Sequence, residues 1–289
     1  MKISTETESV KRYTGDEKAI EYIAKAGFDA FDFSMYDIAK VANWTTGELA
    51  YGTTPISGDD YLKYARSLKK VADDCGIYCN QTHSVFPTQN PKIEKFVKRT
   101  IECTKELGAT ICVVHPLSMS PVEDNVKYYS ELLPFAKEYG VKIATENMWA
   151  WSNELRHATP AACSPHGEFL ELLEKVNDEY LIACLDIGHA EMLRQSDTSA
   201  VEMVKALGKH LKALHIHDND QLHDSHQIPF SMNIDFEPIV KALKEINYSG
   251  EFTLEANSYL NDCTADNVFE KLCDMKAAAK KLADMFEAF

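Results

Sequence analysis

The 289-residue chain lacks the features that mark several large classes of protein. No stretch approaches the ~20 consecutive apolar residues of a membrane-spanning helix, which argues against a helical membrane protein. The opening Met-Lys-Ile-Ser-Thr-Glu-Thr-Glu has no long apolar core, so no signal peptide is expected. No basic run occurs, and a net charge of −15 offers no footprint for a phosphate backbone; nucleic acid is not expected as a partner. The eight cysteines (75, 79, 103, 112, 163, 184, 263 and 273) contain no Cys-x-x-Cys pair. They read as reduced thiols of a cytoplasmic protein. A glycine-rich phosphate turn after the first apolar run is missing too, which argues against an open dinucleotide-binding sheet.

What is present is alternation. With 45% apolar residues the chain can bury a large core. Short apolar runs at Lys2–Ser4, Ala30–Phe33, Ile77–Thr82, Ile111–His115, Ile143–Glu146, Ile182–Asp186, Ala213–His217 and Phe252–Glu255 read as strands. Between them the spacing is helical. Ile93, Phe96, Val97, Thr100, Ile101, Thr104 and Leu107 mark one face, and Val268, Leu272, Met275, Ala279, Leu282 and Phe286 another. Gly27, Gly76, Gly108, Gly140 and Gly250 stand where helix C-caps are expected, and Asp235-Phe-Glu-Pro238 and Ser164-Pro165 where helices start. Eight strand–helix units predict an α/β fold, a (β/α)8 TIM barrel forming one domain over residues 1–289.

The segments following the strands are the long ones. Residues 34–58, 147–164 and 218–234 read as loops, carrying Tyr36, Trp44, Tyr51, Trp149, Trp151 and Phe230. In a barrel such loops surround the mouth at the strand C-termini and build the pocket. At the same strand ends stand Glu146, Asp186, His215 and Glu255, three carboxylates and an imidazole. One strand-end carboxylate could simply pair with a lysine or cap a helix. Four at equivalent positions suit a divalent ion: Mn²⁺ or Zn²⁺ first, then Mg²⁺ or Co²⁺. His217, two residues past His215, falls on the same side by strand alternation, so periodicity alone leaves either as the ligand. His83, His115, His189, Asp224 and His226 form a second layer, as further metal ligands or as groups that orient ligands and bind substrate.

The order His83, His115, Glu146, Asp186-x-x-His189, His215-x-x-Asp218, Asp224-x-His226, Glu255 resembles the xylose isomerase-like TIM-barrel superfamily. That superfamily groups sugar isomerases and epimerases with nucleases of the endonuclease IV type. The resemblance covers essentially the whole chain. Leu-Asp-Ile-Gly-His and His-Ile-His-Asp-Asn-Asp are its most specific stretches, and it selects His215 over His217. For the isomerase and epimerase branch it implies one ion on Glu146, Asp186, His215 and Glu255. It also implies a sugar or polyol substrate and proton transfer between Glu146 and Glu255 through an enediolate. Trp149, Trp151 and Phe86 then supply apolar faces to the sugar. Barrels of this sort often pair through loops at the mouth, which allows a homo-oligomer.

The nuclease branch uses all nine positions for three zinc ions, and its residue types are all present here. The acidity of the chain, Ser-Val-Phe-Pro after His83 and Pro-Leu-Ser-Met after His115 argue against it. A ketose 3-epimerase usually carries Arg six residues past the metal histidine; this chain has Gln221. Arg156 and Arg194 are the only arginines read near strand-tip loops, which favours an unphosphorylated sugar, polyol or sugar acid.

Overall fold

The computed structural model describes residues 1–43, 45–192 and 199–289; Trp44 and Arg194 lie outside the described residues. Each apolar run foreseen from sequence is a strand of one parallel sheet. These are β1 (Ile3–Glu6), β2 (Ala30–Ser34), β5 (Tyr78–His83), β6 (Ile111–Val113), β7 (Lys142–Glu146), β10 (Leu181–Asp186), β11 (Leu211–His215) and β12 (Phe252–Leu254). They pair in the order β11-β10-β7-β6-β5-β2-β1-β12. Backbone bonds from Ile216 N–H to Thr253 O (2.9 Å) and from Glu255 N–H to Ile216 O (3.0 Å) close the ring between its two ends. The fold is a TIM barrel of a single domain.

Strand alternation divides the interior. Val113, Ala144, Ile182, Cys184 and Ala213 pack together on one side. Across from them Ser4 Oγ donates to Asn80 Oδ1 (2.7 Å) and Asn80 Nδ2 donates to Thr253 Oγ1 (3.0 Å). Helices cover the outside with the faces that periodicity marks: Phe96, Val97, Thr100, Ile101 and Thr104 are buried on helix Glu94–Glu106, and Leu272, Met275, Ala279, Leu282 and Phe286 on helix Val268–Ala288. Each large side chain so buried contributes roughly 1.5–3 kcal/mol. Asp235 caps its helix, its carboxylate accepting from Glu237 N–H at 3.2 Å.

Three local readings change. The long segments 34–58 and 147–164 are not plain loops. Each carries an antiparallel hairpin, β3 (Ala39–Asn43) with β4 (Glu48–Tyr51) and β8 (Trp149–Ser152) with β9 (His157–Pro160), whose strands are too short and too exposed to alternate cleanly. Gly250 is not a C-cap: the left-handed residue after helix Phe236–Glu245 is Asn247 (φ 56°). Gly250 is required for space, since a Cβ there would lie 2.8 Å from the Lys212 carbonyl oxygen. His115 lies two residues beyond the end of β6 rather than inside it. All eight cysteines are free thiols, and no helix among the described residues is long and apolar enough to cross a membrane.

Candidate metal centre

The C-terminal tips of β5, β7, β10, β11 and β12 converge as parallel pairing requires, bringing all nine sequence-predicted residues to the mouth. Ligand atoms of Glu146, Asp186, His215 and Glu255 lie within 4.8 Å of one another, and so do those of His83, His115 and Glu146. A third group, His189, His217, Asp224 and His226, meets the same limit. Glu146, Asp186, His215 and His217 are fully buried; His115, Asp224, His226 and Glu255 keep a partly exposed edge toward the mouth.

Strand alternation turns His215 and His217 to the same side: Ile216 between them packs in the outer core and continues the pairing with β12. His215 Nδ1 faces Glu146 Oε1 (2.9 Å) and Glu255 Oε2 (3.6 Å), whereas His217 Nε2 faces Asp186 Oδ1 (3.2 Å) and Asp224 Oδ1 (3.4 Å). Both histidines serve the mouth, one in each cluster. The His217 ring stacks on His226 (4.0 Å between centroids) and lies over Gly188, where a Cβ would come within 1.9 Å of Cε1. The glycine of Asp186-Ile-Gly-His189 is what makes room for it.

Hydrogen bonds fix which nitrogen each ring presents. Nδ1 of His83 donates to Ser84 O (3.0 Å), that of His189 to Asn147 O (2.9 Å) and that of His226 to Glu255 O (2.7 Å). Nε2 of each is thereby the nitrogen aimed at the mouth: that of His83 lies 3.0 Å from His115 Nε2, and those of His189 and His226 lie 3.4 and 3.1 Å from Asp224 Oδ2. His215 is turned the other way: its Nε2 donates to Asp32 Oδ2 (3.2 Å), and Gln81 Nε2 donates to the same oxygen (2.9 Å). Carbonyls and carboxylates that lock a histidine's tautomer from behind are the usual support of a metal ligand. Asn147 joins two tips, accepting from Asp186 N–H (2.8 Å) and donating to Asp186 O (2.9 Å).

Sequence reasoning missed Asp32 and Asn147, and offered His217 only as an alternative to His215. Asp32 was visible as an acid inside an apolar run, Ala-Phe-Asp-Phe-Ser, where only an inward partner can satisfy it. Asp218, present in the motif, is structural: its carboxylate accepts from the backbone N–H groups of Asn219, Met232 and Ile234 and so shapes segment 218–234. Trp149 does not offer a bare apolar face; its indole N–H donates to Asp224 Oδ2 at 3.2 Å. Phe86 does, lying over His115 with centroids 5.0 Å apart. Arg12 and Arg99 also reach strand-tip loops, contrary to the expectation of only two arginines there. Arg12 donates to Asn261 Oδ1 (2.7 Å) and Asn257 O, Arg99 to Ser57 O (2.6 Å).

The donor set fits a cation. Glu146 Oε2, Asp186 Oδ2, Asp224 Oδ1 and His217 Nε2 are buried and make no well-aligned hydrogen bond among the described residues, a costly condition that a bound cation would relieve. Charge is distributed unevenly among them. Burial works to raise the Glu146 carboxyl, but the His215 charge and the His115 and His215 hydrogen bonds hold it well below the usual range. Burial pushes Glu255 up to about 8 despite the opposing charges of His215 and His226. Burial, reinforced by repulsion from His115 and His215, brings His83 down to about 4. At His226 burial opposes protonation, yet the Asp224 carboxylate lifts the ring to about 10.

A family model described as the xylose isomerase-like TIM barrel matches residues 20–287, and the chain belongs to that family. Among curated proteins it is 29% identical over 191 residues to MJ1311, an uncharacterized protein of Methanocaldococcus jannaschii; the match covers 60% of this chain and 62% of that one. Its structural neighbours include sugar epimerases. A D-tagatose 3-epimerase-like protein superposes with a TM-score of 0.73 at 21% identity, over 100% of this chain and 99% of the other. A sugar phosphate isomerase/epimerase from Parabacteroides distasonis gives 0.63 at 25% identity, over 98% and 93%. D-allulose 3-epimerase from Methylomonas sp. gives 0.67 at 19%, over 100% and 97%.

Proposed function

We propose that the protein is a divalent-metal-dependent sugar isomerase or epimerase, with Glu146 and Glu255 as its acid/base pair. The observation that carries this reading is the pair of carboxylates on one imidazole: both glutamates face His215 Nδ1, at 2.9 and 3.6 Å, in a cluster open to the mouth on the Glu255 side. Glu146, Asp186, His215 and Glu255 would hold the ion. Mn²⁺ or Zn²⁺ suits these donors first, Mg²⁺ or Co²⁺ after them. Bound there, the ion supplies positive charge to the sugar oxygen on which negative charge develops.

A carbon beside a carbonyl is a weak acid, so a placed base and electrostatic help at the oxygen are both needed. One glutamate removes that proton and the other returns it, by way of an enediolate. Asp32 holds His215 in the tautomer that leaves Nδ1 facing the carboxylates. His189 and His226, each locked by a carbonyl, present Nε2 to substrate hydroxyls or to a further ion. Arg12 and Arg99, which reach strand-tip loops, are engaged with backbone and Asn261 oxygens, which supports an unphosphorylated substrate. Eight free thiols suit a reducing compartment, and we place the enzyme in the cytoplasm.

Glu255→Gln is expected to abolish exchange of the substrate α-proton with solvent deuterium, measured by NMR over a ketose panel including D-allulose, D-tagatose and D-fructose. Circular dichroism and melting should stay unchanged. Exchange at the wild-type rate in this variant sinks the mechanism. A second reading, a multinuclear zinc phosphodiesterase of the apurinic-site nuclease type, is favoured by the His189, His217, Asp224 and His226 cluster. Two or three zinc ions by elemental analysis together with nicking of an abasic duplex would select it.

A further inference from the structure

A groove of about 630 Å³ opens beside the metal centre, within the range of pockets that enclose a small organic ligand. Its inner end is His115, whose Nε2 is 3.1 Å from Glu146 Oε2. None of Glu146, Asp186, His215 and Glu255 lines it, so the groove is space additional to that over the ligand set. It runs outward between the segments that follow β5 and β6 and reaches Gly47 in the β3–β4 turn. These walls are tied to one another. Thr88 Oγ1 donates to Pro116 O (2.8 Å), joining the segments after β5 and β6, and Asn90 Nδ2 donates to Gly47 O (3.2 Å), fastening the hairpin. The lining is amphipathic and uncharged. Phe86, Pro116 and Met119 offer apolar faces, and the Phe86 ring is seated against Tyr36 (5.7 Å) and His115 (5.0 Å). The Gln89 amide and the Ser118 hydroxyl have no hydrogen-bond partner among the described residues, and each can both donate and accept. Among the described residues lining the groove there is no Lys, Arg, Asp or Glu.

We infer that this groove holds a second, uncharged sugar residue of the substrate, so that the reacting sugar is the reducing end of a disaccharide and keeps its carbonyl free at the metal centre. The inference rests on the sugar-enzyme reading of that centre and deepens it. The glycosidic bond takes no part in the reaction; the carbonyl and the hydrogen beside it stay on the residue that Glu146 and Glu255 face. A sugar ring has C–H faces and a rim of hydroxyls that donate and accept. Phe86, Pro116 and Met119 suit the faces, and Gln89 and Ser118 suit the rim. A wholly apolar group would cover that amide and hydroxyl without pairing them, which costs free energy. A phosphate or carboxylate would find neither a cation nor a fork of donors. A monosaccharide reacting between the two glutamates would leave the groove unfilled. Gln89, Ser118 and Met119 are therefore specificity-determining residues, acting on affinity through the residue that does not react.

The test is titration calorimetry of the Mn²⁺-loaded protein with reducing disaccharides that end in an aldose (maltose, cellobiose, lactose) or a ketose (turanose, maltulose, lactulose, isomaltulose). D-glucose and D-fructose serve as their one-residue partners, D-fructose 6-phosphate as the charged ligand, and sucrose as two joined residues without a free carbonyl. At least one reducing disaccharide should bind roughly tenfold tighter than the monosaccharide at its reducing end, and tighter than sucrose. Gln89 and Met119 are exposed, so the double variant Gln89→Ala, Met119→Ala should keep the melting temperature and the monosaccharide affinity. It should cut the disaccharide preference to about twofold or less. No disaccharide preference, no binding of any sugar, tightest binding of the phosphate, sucrose bound as tightly as the reducing disaccharides, or a preference that survives the double variant would each overturn the assignment. Binding needs no turnover, so the two readings fail separately. Disaccharide preference without α-proton exchange in any sugar removes the isomerase reading alone, and exchange without disaccharide preference removes the groove alone.

Discussion

The two ligand clusters at the mouth are built from similar side chains in different ways. Glu146, Asp186 and His215 are the last residues of β7, β10 and β11, and Glu255 directly follows β12 and bonds into the ring's closure. Backbone pairing therefore sets their positions to the precision of the barrel itself. His189, His217, Asp224 and His226 all lie beyond strand ends, and His226 sits at a left-handed φ of 43°. This outer cluster is held by a chain of local contacts: Asn219 Nδ2 to Gly188 O (2.8 Å), Trp149 to Asp224, and the stacked pair His217 and His226. Asp186 belongs to both, since its Oδ1 accepts from His189 N–H (2.7 Å) and faces His217 Nε2. A scaffold-built site tolerates change in its neighbours better than a loop-built one.

The largest break expected in this comparison is Gly188→Ala. A methyl group cannot coexist with the His217 ring at 1.9 Å, so the ring must leave its place beside Asp186 and Asp224. Zn²⁺ titration should show affinity at the outer cluster falling by roughly 100-fold, at the upper end of what loss of a supporting group costs. The inner cluster should keep its equivalent. Identical isotherms for variant and wild type would mean that His217 takes no part in cation binding.

Asp32→Asn should produce a smaller change, confined to the inner cluster. The amide keeps the shape of the carboxylate but removes the charge that favours a proton on His215 Nε2. Metal affinity there is expected to fall about 10- to 100-fold with the fold intact, while the outer cluster is unaffected. An equal loss at both clusters would refute a specific link through His215.

What was legible in the sequence follows the same division. The eight barrel strands and the strand-tip ligands could be read because burial on both faces of a parallel strand leaves a plain apolar run, and an ionisable residue at its end stands out. Asp-x-His at 224–226 was legible as a motif, not as geometry. His217 was legible only as an alternative to His215: alternation puts both at the mouth, and no local pattern assigns each to its own cluster. Asp32 stands out locally as an acid inside Ala-Phe-Asp-Phe-Ser, but its role does not, because it depends on His215, 183 residues away. The β3–β4 and β8–β9 hairpins escaped because short exposed strands bury too little to impose a period.

The smallest effect on either cluster is expected at Glu6, the last residue of β1, which is buried, has Oε2 bonded to Ser9 N–H (2.8 Å) and leaves Oε1 without a partner among the described residues. Burial, with a smaller push from Glu8, raises its carboxyl from 4.5 to about 7 against the opposing Ser9 bonds and Arg12 charge. The folded protein then binds more protons than the unfolded chain between these two values. The associated stability is fully present below about pH 4.5 and is lost as pH rises to about 7. Glu6→Gln imitates the protonated acid at every pH. The variant should melt with the wild type at pH 4.5 and above it at pH 8, by at most about 3 kcal/mol in stability. Metal titration should be the same for both proteins. A variant no more stable than wild type at pH 8 would show that the carboxylate is accommodated at β1 in its ionised form, and a changed metal isotherm would tie Glu6 to the mouth chemistry after all.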